Sequence, residues 1–567
     1  MKKTKKRIPL ALILLLVIVL LGIVIFLVVR YRPGKEHLSL NTFFGVDGEE
    51  DGAVIANGNL ISTDDKAPAA KLVNGTTYVR WSLLHDHLDD GWVYDASEGI
   101  LRYATDKNLI SVNLSDSNYM EDKNSKSWSA PIVIVSDNKT YVALDFVKQF
   151  TDLTYTVANQ PNRLAIWTAG TAVKTGSLNG AEGIRRKAGI KSPILEDGKS
   201  GDSLTIVQEL DGWYQVVTAD NVLGCVRKSK VSGAKDSKIE ANLPERQYSH
   251  RILDQKIQLA WHQVTSTAGN ANMSNLLANT SGINVISPTW FSLKDNGGNL
   301  NDYGSSDYVT KAHSENVAVW GLVSNLASNG VDTKTVLNTT SARDNLVNGL
   351  IAAAIRYNLD GINVDIESLP TEAADGYIQF IRELSLKAHA NNLVVSVDNY
   401  TPSASSLHYN RAEQANYADY NVIMAYDEHW ATDKTAGSNS SIDYVKKAVS
   451  ATLETTPARQ VILALPLYTR AWTTKSDGSV SSQAVAMKDQ DALLAQNKVV
   501  ASWNEELGQS TASWKDADGN KVEIWLENAD SIAKKMEVYR NNQLGGVAFW
   551  KLGMEPSSIW QTVSAGK

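Results

Sequence analysis

Asp365 and Glu367 stand two residues apart at the end of the stretch Leu359-Asp360-Gly361-Ile362-Asn363-Val364-Asp365-Ile366-Glu367. Along a strand, side chains alternate between faces, so Asn363, Asp365 and Glu367 share one face while Val364 and Ile366 share the other. Two carboxyls whose Cα atoms lie ~6.6 Å apart can share a proton or a polar network. A neighbouring acid and partial burial raise a carboxyl pKa, which suits Glu367 to general acid work. Three polar groups in one inward row are costly unless they are hydrogen-bonded or used. By itself an acidic pair also reads as part of a structural polar row closing a barrel end.

The elements that must hold this row form a repeating pattern. Apolar runs occur at 257–260, 283–286, 317–323, 359–366, 393–397, 422–425, 461–465 and 546–550, and helical patterns such as 342–357, 373–390 and 442–455 separate most of them. Eight β/α units over this length predict a (β/α)₈ barrel across residues 250–567, in which the mouth at the C-terminal strand ends carries the chemistry. The interval from Leu467 to Gly545 is too long for one helix. It predicts an insertion on the catalytic rim, with a hairpin of strands 512–515 and 522–526 around Asp518-Gly519 and a helix from Ser531.

The Asp-Gly-x-x-x-Asp-x-Glu ending of the fourth strand resembles glycoside hydrolase family 18, the family of chitinases and related N-acetylglucosaminidases. Met424-Ala425-Tyr426-Asp427, Leu465-Pro466-Leu467-Tyr468-Thr469-Arg470 and Gly545-Gly546-Val547-Ala548-Phe549-Trp550 fall in order after or on the sixth, seventh and eighth strands. The longer runs Tyr426-Asp427-Glu428-His429-Trp430, Ile524-Trp525-Leu526-Glu527-Asn528 and Leu552-Gly553-Met554-Glu555 look most like the branch containing spore cortex fragment-lytic enzymes, which acts on peptidoglycan.

That resemblance implies a retaining mechanism in which the substrate supplies the nucleophile, an exception among glycosidases. Glu367 then protonates the leaving oxygen and later deprotonates water. Asp365 holds the acetamido N–H and stabilises positive charge, and Tyr426 places its hydroxyl on the acetamido oxygen. Attack within one sugar gains from high effective molarity. Trp550 is expected to stack on the bound sugar, with Asp360, Asn363, Met424, Asp427, Tyr468, Arg470 and Glu527 as further substrate contacts. Many family members carry Asp where Asn363 stands; an amide cannot titrate, so a proton acceptor is lost there. Lectin-like relatives typically lose the catalytic Glu, and this chain keeps it. No metal or organic cofactor is implied.

Residues ahead of the barrel set its location. Residues 8–29 are 22 consecutive uncharged, almost wholly apolar residues, reaching ~33 Å, enough for a hydrocarbon core of ~30 Å. A signal peptide has a shorter apolar core and a small-residue cleavage site; here the run passes directly into Arg30-Tyr31-Arg32. The reading is an uncleaved single-pass membrane anchor, with the basic tail 1–7 held in the cytoplasm and the rest outside, facing the cell wall.

Within a predicted domain of residues 37–170, residues 70–168 contain a weak repeat, from Asn74 and again from Asp137, each copy reading turn, Thr-Tyr-Val strand, amphipathic helix and two strands. This resembles the α+β stalk domain at the N-terminus of some copper amine oxidases, with no copper site implied. Residues 175–233 look like a bacterial SH3-like barrel, marked by Gly212-Trp213-Tyr214-Gln215-Val216 and Gly224-Cys225-Val226. Cys225 stands where that family usually has an aromatic, and reads as a small buried hydrophobe. It is the single cysteine, which excludes an intrachain disulfide framework and a cysteine metal site.

The chain carries a net charge of −7, and its first 36 residues hold eight Lys/Arg against one Glu. The body beyond them is therefore strongly acidic, a poor match for nucleic acid. The expected partner is glycan: peptidoglycan first, because an anchored enzyme meets the wall at once, with a chitin-like oligosaccharide as alternative. A non-catalytic wall-binding lectin is the reading from another class. The pattern assigns no oligomeric state.

Overall fold

The computed structural model describes residues 10–63, 65 and 67–565. The expected cytoplasmic tail 1–7 and the first two residues of the apolar run lie outside the described residues. Helix Leu10–Tyr31 covers the remainder of that run with none of its residues buried, and its length and composition are sufficient to cross a membrane. The chain divides into two compact units, one of residues up to Tyr94 with Val112–Glu245, the other of Asp95–Ser111 with everything from Arg246 onward.

In the first unit the repeat is visible as geometry. Strand Thr76–Arg80 leads into helix Trp81–His87, and strand Lys139–Ala143 into helix Leu144–Val147. The two strands pair antiparallel, Val142 opposite Val79, inside one eight-stranded sheet. Each is preceded by a turn with two consecutive positive φ angles, Asn74-Gly75 and Asp137-Asn138, as tight hairpins require. A second sheet of seven strands runs from Ala172 to Lys238. Leu178, Ile184, Leu204, Ile206, Val216 and Val226 form a core in it. Cys225 is buried, and burial pushes its thiol up.

The second unit is built on eight parallel strands: β1 (Ile257–His262), β2 (Val285–Pro288), β3 (Ala318–Ser324), β4 (Gly361–Asp365), β5 (Val394–Tyr400), β6 (Tyr420–Met424), β7 (Val461–Pro466) and β8 (Gly546–Trp550). Each pairs with its neighbours, and β8 pairs with both β7 and β1, closing the barrel. Strands buried on both faces read as near-continuous apolar runs, which is why the runs mark them. Ile362 and Val364 of β4 pack outward against the helices. Inside, Leu259, Trp261, Trp320, Leu322, Tyr420 and Val422 fill the barrel. Gly361 starts β4 because a Cβ there would lie 2.8 Å from both the Trp320 ring and the Val394 carbonyl.

Two features depart from the expected outline. β4 ends at Asp365, and Ser368, at φ 49°, turns the chain out of the strand beyond Glu367. Residues 95–111, inside the stretch read as a stalk, pack with the barrel unit instead. Arg102, on strand Ile100–Ala104, explains the attachment: its guanidinium reaches Asp344 at 2.7 Å and the buried Glu383 at 3.1 Å. After β7 the insertion forms a five-stranded antiparallel sheet. It includes the pair Gln509–Lys515 and Lys521–Leu526, and helix Ala529–Asn541 follows. Its first strand, Tyr468–Thr474, begins at the barrel mouth.

Candidate active site

At the C-terminal mouth lies a cavity of about 220 Å³. Asp365 enters it from the end of β4 and Glu367 from just beyond it, Asp398 and Tyr400 from β5, and Met424 from β6. Tyr426 and Asp427 line it from the loop after β6 and Tyr468 from the first strand of the insertion, and Trp261 and Trp550 wall it from β1 and β8. The two indoles meet edge to face, 5.8 Å between centroids. Of the residues anticipated from sequence, the cavity therefore gathers Glu367, Asp365, Tyr426, Met424, Asp427, Tyr468 and Trp550.

Glu367 is half-buried and held from several sides. Its backbone N–H donates to Asn325 Oδ1 and its carbonyl accepts from Asn325 Nδ2, both at 2.9 Å. This reciprocal clamp fixes the main chain just past the strand end. The Tyr400 hydroxyl donates to Glu367 Oε2 at 2.7 Å. Burial raises the Glu367 pKa, the charge of Asp427 adds to the rise, and the Tyr400 hydrogen bond opposes it. The partner is thus a neutral phenol rather than a cation, and the acid is biased toward keeping its proton.

Asp365 lies deeper. Burial raises its pKa well above the usual carboxylate range, the neighbouring Glu367 charge adds to this, and the Ser324 hydroxyl opposes it. Asp398 is raised for the same principal reason, burial, and then by the charge of Asp365. Three carboxyls in one desolvated pocket cannot all ionise at neutral pH. Tyr426 is raised well above its usual range by burial first and by Tyr468 next, so it remains a hydroxyl donor. Asp427, at φ 56°, accepts from the Tyr468 hydroxyl at 2.5 Å.

Four anticipated residues do not line the cavity. Asn363 lies beneath it, fully buried, with Oδ1 accepting from Trp261 Nε1 at 2.8 Å and Ser287 Oγ at 3.0 Å. Asp360 sits before β4, at the opposite end of the barrel, accepting the Val319 N–H and a hydrogen bond with His313, each at 2.7 Å. Glu527 is fully buried in the insertion and pairs with Lys535 at 2.5 Å, Gln509 Nε2 at 2.6 Å and Ser531 Oγ at 2.8 Å. No sugar hydroxyl can reach a carboxylate so enclosed. Arg470 donates to Ser482 on the neighbouring strand at 3.2 Å.

Asn325, Asp398, Tyr400 and Trp261 were not anticipated. A signal existed for two of them, since Ser396, Asp398 and Tyr400 repeat on β5 the alternation of polar residues seen on β4. Among the described residues, no group of three or more His, Cys, Asp or Glu is placed to hold a metal ion.

Residues 269–555 match glycosyl hydrolases family 18. The chain is 25% identical over 312 residues to the uncharacterized glycosylase YvbX of Bacillus subtilis, spanning 53% of this chain and 90% of that protein. It is 24% identical over 262 residues to the cortical fragment-lytic enzyme of Bacillus subtilis, spanning 44% of this chain and 60% of that one. Among solved structures, the Bacillus cereus spore cortex-lytic enzyme SleL aligns over 55% of this chain and 74% of its own, with 18% identity and a TM-score of 0.50, a likeness of fold.

Proposed function

For a chain that belongs to glycosyl hydrolases family 18 and is a glycoside hydrolase, we propose that it cleaves β-1,4 bonds of N-acetylglucosamine-containing cell-wall glycan, peptidoglycan above all, by a retaining, substrate-assisted route. The single observation that carries this reading is Glu367 opening on a cavity it shares with Asp365 and Tyr426.

In this reading Glu367, kept protonated by burial, gives its proton to the glycosidic oxygen. The sugar's acetamido oxygen attacks its own anomeric carbon. Asp365 accepts the acetamido N–H, and its negative charge offsets the positive charge of the oxazolinium ion. Tyr426 donates to the acetamido oxygen and fixes its line of attack. Trp550, set against Trp261, supplies a flat apolar wall for the sugar ring. Water, deprotonated by Glu367, then opens the intermediate with net retention. Asp427 and Tyr468, locked to each other, form a polar edge for sugar hydroxyls.

The similarity to a cortical fragment-lytic enzyme supports a wall glycan as substrate. The helix Leu10–Tyr31 supports anchorage in the cell membrane with the barrel outside. On this view the two smaller sheets are a stalk and an SH3-like wall-facing module. Incubating the purified chain with peptidoglycan and with chitin oligosaccharides, then identifying new reducing ends by mass spectrometry, tests the proposal. N-acetylglucosamine ends from peptidoglycan are expected. N-acetylmuramic acid ends would correct the bond, preference for chitin oligosaccharides would correct the substrate, and release from neither would favour a lectin.

A further inference from the structure

We infer that Asp398 takes up the proton that Asp365 gives up when Asp365 turns to the substrate, so that the two carboxyls work as one proton-sharing pair. The inference rests on the substrate-assisted reading above and deepens it. Asp398 is a positioning residue that acts through Asp365.

The register of β4 and β5 places these groups together. Asn363 pairs with Ser396 and Val364 with Val397. One step further, Asp365 and Asp398 stand side by side on adjacent strands, which run ~4.8 Å apart. Both face the same cavity.

Asn363 fixes the orientation of Asp398. The indole N–H of Trp261 can only donate, so the Asn363 atom it meets at 2.8 Å is the oxygen. The Asn363 amide nitrogen must then point the other way, and it donates to Ser396 Oγ at 3.0 Å and Asp398 Oδ1 at 2.8 Å. Asn363 is saturated by these four bonds and has no proton to exchange. The titratable groups that act most on Asp398 are Asp365 at the end of β4 and Glu367 just beyond it, and it acts in turn on the phenols of Tyr426 and of Tyr377 on the packed helix Ala374–Ala390. None of these is a cation; Arg411, which acts on Tyr377 and Tyr409, gives its guanidinium to Ser406 and to the Tyr400 carbonyl. A desolvated carboxyl pair with no cation keeps one proton between its members.

The proton balance is closed. At rest the pair holds one proton and one negative charge. As Asp365 ionises against the acetamido N–H, its proton moves to Asp398, and it returns when product leaves. The charge of the pair stays at minus one throughout. Glu367, which must release its own proton in the same step, does not face a permanently ionised neighbour beforehand.

Asp398→Asn separates this role from a structural one. An asparagine at 398 can still accept from Asn363 through its amide oxygen, so the packing and that hydrogen bond survive while proton exchange does not. Asp365 is then ionised throughout, and Glu367 holds its proton too tightly. The wild type, Glu367→Gln, Asp398→Asn and the double variant Asn363→Asp/Asp398→Asn are assayed on the same glycan across pH. The expected result is a kcat for Asp398→Asn lower by about ten-fold or more with KM little changed, and a high-pH limb displaced upward. The double variant, which restores a titratable carboxyl on β4, should recover both. An Asp398→Asn protein with wild-type kcat and pH profile, or a double variant no better than the single, overturns the inference alone. A wild type that cleaves neither glycan, or a fully active Glu367→Gln, overturns the proposed function and this inference with it.

Discussion

Glu367 and Glu383 are close in sequence and belong to the same unit, yet the fold moves them in opposite directions. Glu367 meets a phenol at 2.7 Å and the negative field of Asp427, so burial keeps its proton on. Glu383 is fully buried between two guanidiniums, Arg343 at 3.3 Å and Arg102 at 3.1 Å, with the Gln379 amide at 2.9 Å. Burial alone would raise it too, but the two cations hold its carboxyl down to about 2. The depth of an acid therefore says little about its task. What distinguishes a reacting carboxyl from a structural one is the charge of its partners and whether a cavity reaches it. Glu527, fully buried against Lys535, shares the cationic partner that marks Glu383 as structural, although there burial outweighs the single cation and raises its pKa.

The contrast is broken most directly at Glu367. Glu367→Gln removes the transferable proton and should lower kcat/KM by about 10²–10⁴-fold, while the melting temperature and glycan binding hold; retained turnover would place the acid elsewhere. Glu383→Gln should do the reverse. Leaving Arg343 and Arg102 with an uncharged partner in the interior should cost about 3–5 kcal/mol of stability, read by denaturant unfolding. The protein that remains folded should keep wild-type kcat.

The pH dependence separates the two acids again. Cleavage needs protonated Glu367, so the rate should fall as pH rises through its raised pKa, measured as the high-pH limb of kcat/KM. Stability should respond at the other end. The Glu383 pKa is lowered from 4.5 to about 2, so the unfolded chain takes its proton first. Its contribution is fully present above about pH 4.5 and is lost as pH falls through about 2. Buried His262 is lowered from 6.5 to about 4, chiefly by desolvation and then by Lys551. The unfolded chain again binds the proton more readily, so melting temperature should already decline between these two values.

Much of the barrel was legible because each buried parallel strand is an apolar run, and the polar interruptions of β4 marked its inward face. The misplaced residues show where that reasoning ends. Asp360 has the opposite parity to Asp365 and Glu367 and precedes the strand, so alternation already argued against a place at the mouth. Glu527 could not be sorted from sequence, because its partner Lys535 reaches it only through the packing of the following helix. Asp398 and Tyr400 were hidden for another reason. The apolar run of β5 ends at Val397, but the strand continues to Tyr400 because its polar end enters the site rather than solvent. Arg102, far away in the chain, shows that a residue's sequence neighbourhood need not name the unit it stabilises.

The smallest effect tests the phenol itself. Tyr400→Phe removes the neutral donor that favours ionised Glu367, together with the acceptor of the Ser368 N–H, and the Asn325 clamp on the Glu367 backbone is untouched. The Glu367 pKa should rise further, displacing the high-pH limb upward with a rate loss of about ten-fold or less. Asp398→Asn is expected to move the same limb in the same direction, but through a different atom. Asn363→Asp should therefore rescue that variant and leave Tyr400→Phe unrescued. If it rescued both, the phenol and the β5 carboxyl would be acting through one proton network, and the neutral partner of Glu367 would be neutral in name only.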